Sequence, residues 1–317
     1  MSDVREIARE LADGLLFPDA ARVDRLDLVP SGHLAALADS GLYGLAVDAP
    51  PDVYQDVVAI LAGGCLATAF VWLQHAGLAK ALAGFGTHPD LLAELRTGRV
   101  KAGVALGGLW PHAPLRARED GYGVVLDGAS PWFTGWGLVD VFLLAARDEH
   151  DSIRWMYLDA VPGPSLAAEP LDLTAARASG TVRLVFDGHR VPAERLLGAE
   201  PSEGLAERDR AGLRTNGYLA LGVAERCAAL IGPSPWDARV ASVRARLGEA
   251  EPEGLPEARA AVSDLAMRAA AGLAVAEGSG SVLRGGNAER LVREAAFLLV
   301  FGTRPAIKSA LAARLQG

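Results

Sequence analysis

A chain of 317 residues and 33.0 kDa is long enough to bury one large core or two modest ones. Half of its residues are hydrophobic and 22% are charged, a balance typical of a folded globular protein and unlike that of a disordered chain. Its net charge of −8, with no basic stripe in the sequence, argues against nucleic acid as the main partner.

The first part of the chain, up to about residue 98, has the hydrophobic period of helices. We predict five of them, at residues 2–13, 31–40, 51–62, 64–84 and 89–97. Residues 100–197 change to short β-branched or alternating runs that end in Gly and Asp turns, and these runs predict five or more strands. From residue 205 onward the helical period returns. The predicted helices there are 211–231, 236–249, 257–283, 288–300 and 305–315.

This order predicts an α+β protein of three domains. They are an N-terminal helical domain (1–99), a small central antiparallel β domain (100–198) and a C-terminal helical bundle (199–317). A helical block, a β block and a second helical block exclude alternating βαβ units, and therefore a Rossmann sheet.

Cysteine and histidine usage bounds the chemistry further. Cys65 and Cys227 each lie in an apolar helical pattern and supply neither a disulfide framework nor a metal cluster, so they predict a reducing, cytoplasmic setting. The six histidines are scattered, and we expect no metal site. The most apolar stretch, residues 63–86, is interrupted by Gln74 and Lys80 and predicts a buried helix and not a membrane span.

An aromatic cluster occupies the end of one predicted strand, in the sequence SPWFTGWGLVD (130–140). Trp132, Phe133 and Trp136 lie within five positions of a chain that is only 6% aromatic. Two interpretations are open: the cluster fills the β core, or it forms a flat wall for a flat ligand. The sequence contains no phosphate loop, HExxH or GxSxG motif. This absence favours a bound cofactor as the group that carries out any reaction.

Several stretches, in order along the chain, resemble the acyl-CoA dehydrogenase family. PWFTGWGLVDVFLLAARD resembles the family's Trp-x-Thr strand, and ARASGTVRLVFDGHRVPAERLLG resembles its Arg-x-Ser-x-Thr, Phe-Asp and Val-Pro-Ala-Glu segments. ERLVREAAFLLVFGTRPAI resembles its Glu-Arg, Arg-Asp-Ala and Glu-Gly-Thr segments, and the N-terminal LADSGLYGLAV and LAGFGT resemble other family phrases. The likeness covers nearly the whole chain and implies a short, divergent member with the family's fold.

The resemblance implies FAD as cofactor. It implies that Trp132 and Phe133 cover one face of the flavin ring and that Thr134 meets the ring's N5/O4 edge. Other positions that match family cofactor segments are Gly107, Gly108 and Thr303.

The departures from the family are concentrated in its cofactor and substrate segments. The preceding strand reads ALGGLWPHAPLRA and lacks the family's hydroxyl and serine, and the Arg-x-x-x-Phe-Gly segment is absent. The family's Gln-x-x-Gly-Gly is reduced to Gly285 and Gly286. The pyrophosphate and adenosine half of FAD therefore has few recognisable partners in this chain, and either a neighbouring subunit supplies them or flavin is weakly held or absent.

The family's catalytic base is also missing. The Glu of Glu-Gly-Thr, which removes the α proton of the thioester, corresponds to Phe301, and phenylalanine cannot accept a proton. Weak candidates for a displaced base are Glu207 and Asp209. The alternative interpretation of these two residues is a solvated run of charges before a helix. Glu294 matches the family's Arg-Asp-Ala acid, and we expect it to pair with Arg290 or Arg293 as a structural charge.

Three functions follow from the resemblance. The first is a flavoenzyme that dehydrogenates the α,β bond of an acyl thioester carried by CoA or an acyl-carrier protein, with its own base missing or displaced. The second is a non-catalytic subunit in a hetero-oligomer with a complete paralogue. The third is a thioester-binding or flavin-binding module without turnover. In each case we expect a homo-oligomer or a hetero-oligomer, because residues 288–300 carry an apolar stripe.

Overall fold

The computed structural model of the chain describes residues 3–110 and 115–316, except the side chains at positions 204, 206–209 and 211. Helices come first along the chain, strands follow, and helices return. The predicted α+β class and the predicted order of its parts are confirmed.

The N-terminal segment contains two apolar helices that are buried on most of their surface. The helices of this segment are α1 (Val4–Leu11), α2 (Phe17–Val23), α3 (Ser31–Asp39), α4 (Leu45–Asp48), α5 (Pro51–Gly64), α6 (Leu66–Phe85) and α7 (Pro89–Thr97). A π-helical turn joins α1 to α2, so helix continues well beyond the predicted end at residue 13. Asp3 caps the N-terminus of α1, and its carboxylate accepts a hydrogen bond from the Arg5 N–H at 3.0 Å. α5 and α6 are the two apolar helices.

The middle segment forms one eight-stranded sheet. Its strands are β1 (Ala102–Ala105), β2 (Leu115–Glu119), β3 (Gly123–Phe133), β4 (Val141–Arg147), β5 (Ser152–Asp159), β6 (Leu166–Pro170), β7 (Val182–Pro192) and β8 (Leu196–Pro201). Their order is β6-β7-β3-β2-β4-β5-β8, with β1 beside β4. The pairs are antiparallel as predicted, apart from β1 with β4 and β2 with β4, which are parallel.

Strand β4 is buried on both faces. Phe142 and Leu144 contribute to the main core, whereas Leu143 and Ala145 pack in a second cluster together with α6 and α7. This alternation follows from the two-residue period of a strand. The helical segment therefore covers one face of the sheet while the other face joins the main core.

The C-terminal segment returns to helices. They are α8 (Leu205–Ile231), α9 (Pro235–Glu249), α10 (Leu255–Glu277), α11 (Asn287–Val300) and α12 (Pro305–Gln316). α8 passes so close to α5 that a Cβ on Gly222 would lie 2.0 Å from the carbonyl oxygen of Ala59. Among the described residues, no helix combines the length and the apolar character needed to cross a membrane.

Candidate functional site

The aromatic cluster lies at the end of β3, where the pairing with β7 is irregular. Between Ser130 and Phe133 the register shifts by one residue, as in a β-bulge. Trp132 lies in this bulge with a φ of 63°, in the left-handed region that bulky residues rarely adopt. Trp132 is 64% exposed. The bulge therefore turns one large ring out of the sheet, and strain of this kind is typical of functional sites.

Phe133 lies in the core. It is fully buried, and its ring centroid lies 5.0 Å from that of Phe142 and 6.0 Å from that of Trp136. A Cβ on Gly103 would come within 2.7 Å of the Phe133 ring. Both interpretations of the aromatic cluster therefore apply to different residues: Phe133 fills the core, whereas Trp132 presents a ring to solvent. The flavin contact expected of the Phe133 side chain has no support in this geometry.

Thr134 heads a chain of three buried hydroxyls. Its Oγ1 lies 3.0 Å from Oγ1 of Thr181, which lies 2.8 Å from Oγ of Ser179. Each of these residues is at most 5% exposed. The Gly135 N–H donates to the Ser179 carbonyl oxygen at 2.9 Å, so backbone and side-chain bonds hold the two segments together. Thr134 therefore has a fixed position beside Trp132, two residues away.

Gly107 and Gly108 lie in a short 3₁₀ turn after β1 that packs on the end of β3. A Cβ on Gly107 would lie 2.3 Å from the carbonyl oxygen of Pro131, the residue before Trp132. The Gly108 N–H donates to Ser130 Oγ at 3.2 Å. Close packing against β3 thus accounts for both glycines, and it brings this turn to the backbone that carries the exposed indole.

Phe301 follows the last residue of α11 and lies among other phenylalanines. Its ring centroid is 4.8 Å from that of Phe70 on α6, which it meets edge-on. It is 5.7 Å from that of Phe297, on which it stacks. We call Phe70, Phe297 and Phe301 the phenylalanine cluster. Next to it Gly302 has a φ of 63°, and Thr303 Oγ1 donates to the Val300 carbonyl oxygen at 3.1 Å. The Thr303 hydroxyl is thus used in closing the turn after α11.

A buried arginine, absent from the sequence-based candidates, holds this turn. Arg259 on α10 is fully buried; its Nη2 donates to the Phe301 carbonyl oxygen at 3.1 Å and its Nη1 donates to Ser263 Oγ. Ser263 Oγ in turn donates to the Leu298 carbonyl oxygen at 2.9 Å. Burial lowers the pKa of Arg259 to about 10, so the guanidinium stays protonated at neutral pH. A cation at the C-terminus of α11 also complements the helix dipole.

One aromatic contact joins the β-domain side of the site to the C-terminal helices. The guanidinium carbon of Arg304, directly after Thr303, lies 4.5 Å from the ring centroid of Trp110, which follows the Gly107–Leu109 turn. The turn after β1 and the turn after α11 therefore meet. Segments that are far apart in sequence, around 107–110 and 301–304, lie side by side, and Pro131 packs on the first of them.

The remaining residues singled out in the sequence are the acidic ones. The side chains of Glu207 and Asp209 lie outside the described residues. Glu294 accepts a hydrogen bond from Arg290 at 2.7 Å within the core, which is the structural pairing that the sequence predicted. No group of three or more His, Cys, Asp or Glu side chains that could hold a metal occurs among the described residues.

A surface depression of about 580 Å³ lies elsewhere on the protein. Tyr157, Asp159 and Arg195 contribute to its lining, together with Leu91 of α7. None of the described candidate site residues lines it. The Arg195 guanidinium already binds Asp159 at 3.0 Å and lies on the Tyr157 ring, so the charged groups there satisfy one another.

No family model matches the chain, but comparison with curated proteins identifies relatives that include several acyl-CoA dehydrogenases. The short-chain specific acyl-CoA dehydrogenase of Bos taurus is 28% identical over 223 residues, which are 63% of this chain and 53% of the relative. The chain spans about half the length of the curated relatives it matches.

Solved structures extend the similarity over the whole chain. Butyryl-CoA dehydrogenase from Megasphaera elsdenii superimposes with a TM-score of 0.83 at 19% identity, covering 100% of this chain and 99% of that one. A glutaryl-CoA dehydrogenase from Mycobacterium smegmatis, solved in complex with FADH2, superimposes with a TM-score of 0.82 at 18% identity, covering 99% and 94%. The resemblance found in the sequence is thereby confirmed: the chain has the acyl-CoA dehydrogenase fold, and its modest identity to curated acyl-CoA dehydrogenases is consistent with a divergent member.

Proposed function

We propose that the chain is an acyl-CoA dehydrogenase-like flavoprotein that binds FAD and an acyl thioester. The observation that carries this proposal is the end of β3, where the exposed indole of Trp132 lies two residues from the buried hydroxyl of Thr134. An indole face can stack on a flat ring, and a hydroxyl can bond the polar edge of that ring. The FADH2 bound in the Mycobacterium smegmatis relative supports the choice of flavin.

The residues present fit the ring half of FAD better than its other half. Thr134 uses one hydrogen-bonding position of its hydroxyl on Thr181 and keeps others for a ligand. Gly285 retains a φ of 95°, but a Cβ there would lie 3.0 Å from Nη2 of Arg25, so that side chain covers it. We assign the ring face to Trp132 and the ring edge to Thr134, and we propose that a second subunit contributes to the pyrophosphate and adenosine half.

The proposed chemistry lacks one component in this chain. Trp132 and Thr134 would hold the ring of FAD, which would supply a hydride acceptor for the β carbon of the thioester. A general base must also remove the α proton, and Phe301 offers only a hydrocarbon ring. Phe70 and Phe297 pack against the Phe301 ring and contribute only apolar carbon at this position. We therefore propose that the isolated chain dehydrogenates acyl-CoA poorly.

A second candidate function is favoured by the same phenylalanine. A subunit that has lost its base can still bind thioester or flavin, and can complete the site of a paralogous acyl-CoA dehydrogenase in a hetero-oligomer. Several large apolar side chains near the C-terminal helices are exposed and would be covered in such an assembly; they are Val275, Val282, Leu283 and Val300. A binding module without turnover is the simplest form of this alternative. For all these functions the cytoplasm remains the proposed location.

Equilibrium dialysis against FAD tests the proposed function. We expect saturable binding and a perturbed flavin absorption spectrum, either for the chain alone or after mixing with a full-length paralogue. Binding that requires the paralogue favours the hetero-oligomer. Absence of FAD binding under both conditions would overturn the assignment of a flavoprotein.

A further inference from the structure

We propose that Ser179 and Thr181 are positioning residues that orient the Thr134 hydroxyl as a hydrogen-bond donor to an acceptor on the bound ligand. This inference rests on the proposed FAD function and assigns roles to two residues that do not themselves touch the ligand. The hydroxyl chain runs from Ser179 through Thr181 to Thr134, with separations of 2.8 and 3.0 Å.

The direction of the chain follows from counting its protons. Three hydroxyls carry three protons, and two oxygen–oxygen contacts use two of them. Ser179 is fully buried, and within the described residues its hydroxyl has Thr181 as its partner. A buried hydroxyl proton without an acceptor is unfavourable, so Ser179 donates to Thr181 and Thr181 donates to Thr134. The third proton then leaves the chain from Thr134, toward the ligand side.

The backbone keeps the oxygens of this chain in place. The Gly135 N–H donates to the Ser179 carbonyl oxygen at 2.9 Å, and the Trp136 N–H donates to the Gly180 carbonyl oxygen at 3.0 Å. Gly180 has a φ of 58°, and a Cβ there would lie 2.5 Å from the Trp136 carbonyl oxygen. The turn that carries Thr134 and the segment that carries the other two hydroxyls are therefore held as one unit.

A Thr134 hydroxyl that is fixed as a donor favours ligands with a hydrogen-bond acceptor on the edge that faces it. The acceptor that fits is a ring nitrogen or a carbonyl oxygen of a flat heteroaromatic group, lying beside the Trp132 ring. Each hydroxyl that donates along a chain polarises the next one, so the bond from Thr134 is strengthened by both of its predecessors. The acceptor edge of oxidised flavin, N5 and O4, meets this description.

A double-mutant cycle on FAD affinity tests the proposal, using Thr134→Val, Thr181→Val and the double variant. We expect Thr134→Val to weaken FAD binding about 3- to 10-fold, since it removes the bond itself. Thr181→Val keeps the side-chain shape and should weaken binding about 2- to 5-fold. In the Thr134→Val background Thr181→Val should have no further effect, because Thr181 acts through Thr134.

Further variants separate hydrogen bonding from folding. Thr181→Ser retains the hydroxyl and should keep both the affinity and the bound-flavin absorption spectrum, whereas Ser179→Ala should weaken binding less than Thr181→Val does. Thr68→Val, which removes another buried threonine hydroxyl, bonded to His33 at 3.1 Å, is the matched control and should leave FAD affinity unchanged.

The outcomes distinguish the two proposals. If the unmodified chain binds FAD but Thr181→Val binds it with the same affinity and the same spectrum, the orienting role is wrong and the flavoprotein proposal stands. The orienting role is also contradicted if Thr181→Val lowers FAD affinity by the same factor in the unmodified chain and in the Thr134→Val background. If the unmodified chain binds no FAD, alone or with a paralogue, both proposals fail.

Discussion

Arg259 and Phe301 are joined by a hydrogen bond that runs from a fully buried guanidinium to a main-chain carbonyl oxygen, with an Nη2–O distance of 3.1 Å. Within the described residues the other partner of the guanidinium is the neutral Ser263 hydroxyl. A buried cation is usually paired with an anion, because desolvation of a charge is costly. Here the Phe301 carbonyl oxygen and the Ser263 hydroxyl take the place of that anion, and the bond to the carbonyl ties the turn carrying Phe301 to α10.

Replacement of this cation should destabilise the protein. Arg259→Met keeps much of the side-chain volume but leaves the Phe301 carbonyl and the Ser263 hydroxyl without their donor, at a cost of about 1–3 kcal/mol in the free energy of unfolding. Urea denaturation measures the change. Arg239→Met, at an exposed arginine of α9, is the control and should change stability by less than about 0.5 kcal/mol. Equal stability of the two variants would contradict a role for Arg259 in holding the turn.

Trp132 should contribute to FAD affinity through its exposed face. We expect Trp132→Ala to weaken FAD binding about 3- to 10-fold, the range of a single aromatic stacking contact. Fluorescence titration with FAD measures it. Trp236→Ala is a matched control, since this partly buried tryptophan lies on α9 beside Arg239.

Backbone strain at Trp132 gives a separate check. Glycine accepts a φ of 63° without penalty, so Trp132→Gly should be more stable than Trp132→Ala by about 0.5–1 kcal/mol while binding FAD equally weakly. If Trp132→Gly were instead less stable than the alanine variant, the strained bulge would not be the reason for the exposed ring.

The order of helices, strands and helices could be predicted from sequence because hydrophobic period depends on local positions alone. The sequence lacks a clear alternating apolar pattern in three of the eight strands: β2, β6 and β8. β6 and β8 lie at the two edges of the sheet, and their sequences LAAEP and LLGAEP carry a charge and a proline in place of apolar alternation. The predicted start of α8 at residue 211 is six residues late, because charged residues fill its first turns.

The candidate site was only partly predictable. A local motif points to Trp132 and Thr134 as candidates, yet the burial of Phe133 depends on a bulge that sequence periodicity cannot detect. Thr181 lies 47 positions from Thr134, and their hydrogen bond arises only from the pairing of β3 with β7. Arg259 did leave a signal, a cation among mostly apolar residues of α10, but the carbonyl oxygen that it binds belongs to Phe301, 42 positions away along the chain.

Stability should fall in mild acid because of His75. Its Nε2 donates to the Leu95 carbonyl oxygen at 3.1 Å and its Nδ1 accepts from the Ala102 N–H at 3.0 Å, so the folded protein holds it neutral. Burial lowers its pKa from 6.5 to about 4. The unfolded chain therefore takes up a proton first, and stability that is complete above about pH 6.5 is lost as the pH falls to about 4, by about 3 kcal/mol.

Urea midpoints between pH 7 and pH 4.5 measure this dependence. His75→Gln should be less stable at pH 7 but should show a smaller loss on acidification than the unmodified chain. His150→Gln, at a largely exposed histidine, should reproduce the unmodified pH dependence. The explanation fails if the pH dependence of His75→Gln is unchanged. Burial also lowers the pKa of His33, so that residue will account for part of the remaining dependence.

Assembly is expected to cover exposed apolar side chains, of which Val300 alone belongs to the predicted stripe 288–300. Within residues 288–300 the apolar stripe is largely used inside the chain, since Leu291, Ala295 and Leu298 are buried. Val282 and Leu283, just after α10, remain exposed. We expect light scattering at micromolar concentration to give the mass of a dimer or a larger assembly. The double variant Val282→Asp, Leu283→Asp should give a smaller mass. Tyr122→Asp, at an exposed aromatic in the β2–β3 turn, is the control.

Phe301→Glu should supply a base at the position where the resemblance to the acyl-CoA dehydrogenase family implies one. When FAD and acyl-CoA are bound, we expect this variant to oxidise the thioester about 10²–10⁴ times faster than the unmodified chain, the usual contribution of a positioned general base. Anaerobic bleaching of the flavin on addition of acyl-CoA measures the rate. The phenylalanine cluster makes the new carboxylate partly desolvated, which raises its pKa and favours proton abstraction near neutral pH.

The control for this gain is Phe297→Glu. The Phe297 ring belongs to the same phenylalanine cluster, 5.4 Å from that of Phe70 and one helical turn before Phe301. A carboxylate at this position should not increase the rate. Equal activity of the two variants would indicate a general effect of charge and not a restored base. Rapid bleaching by the unmodified chain, unaffected by Glu207→Gln and Asp209→Asn together, would contradict the proposed loss of the base, because Phe301 has no group that can take the proton.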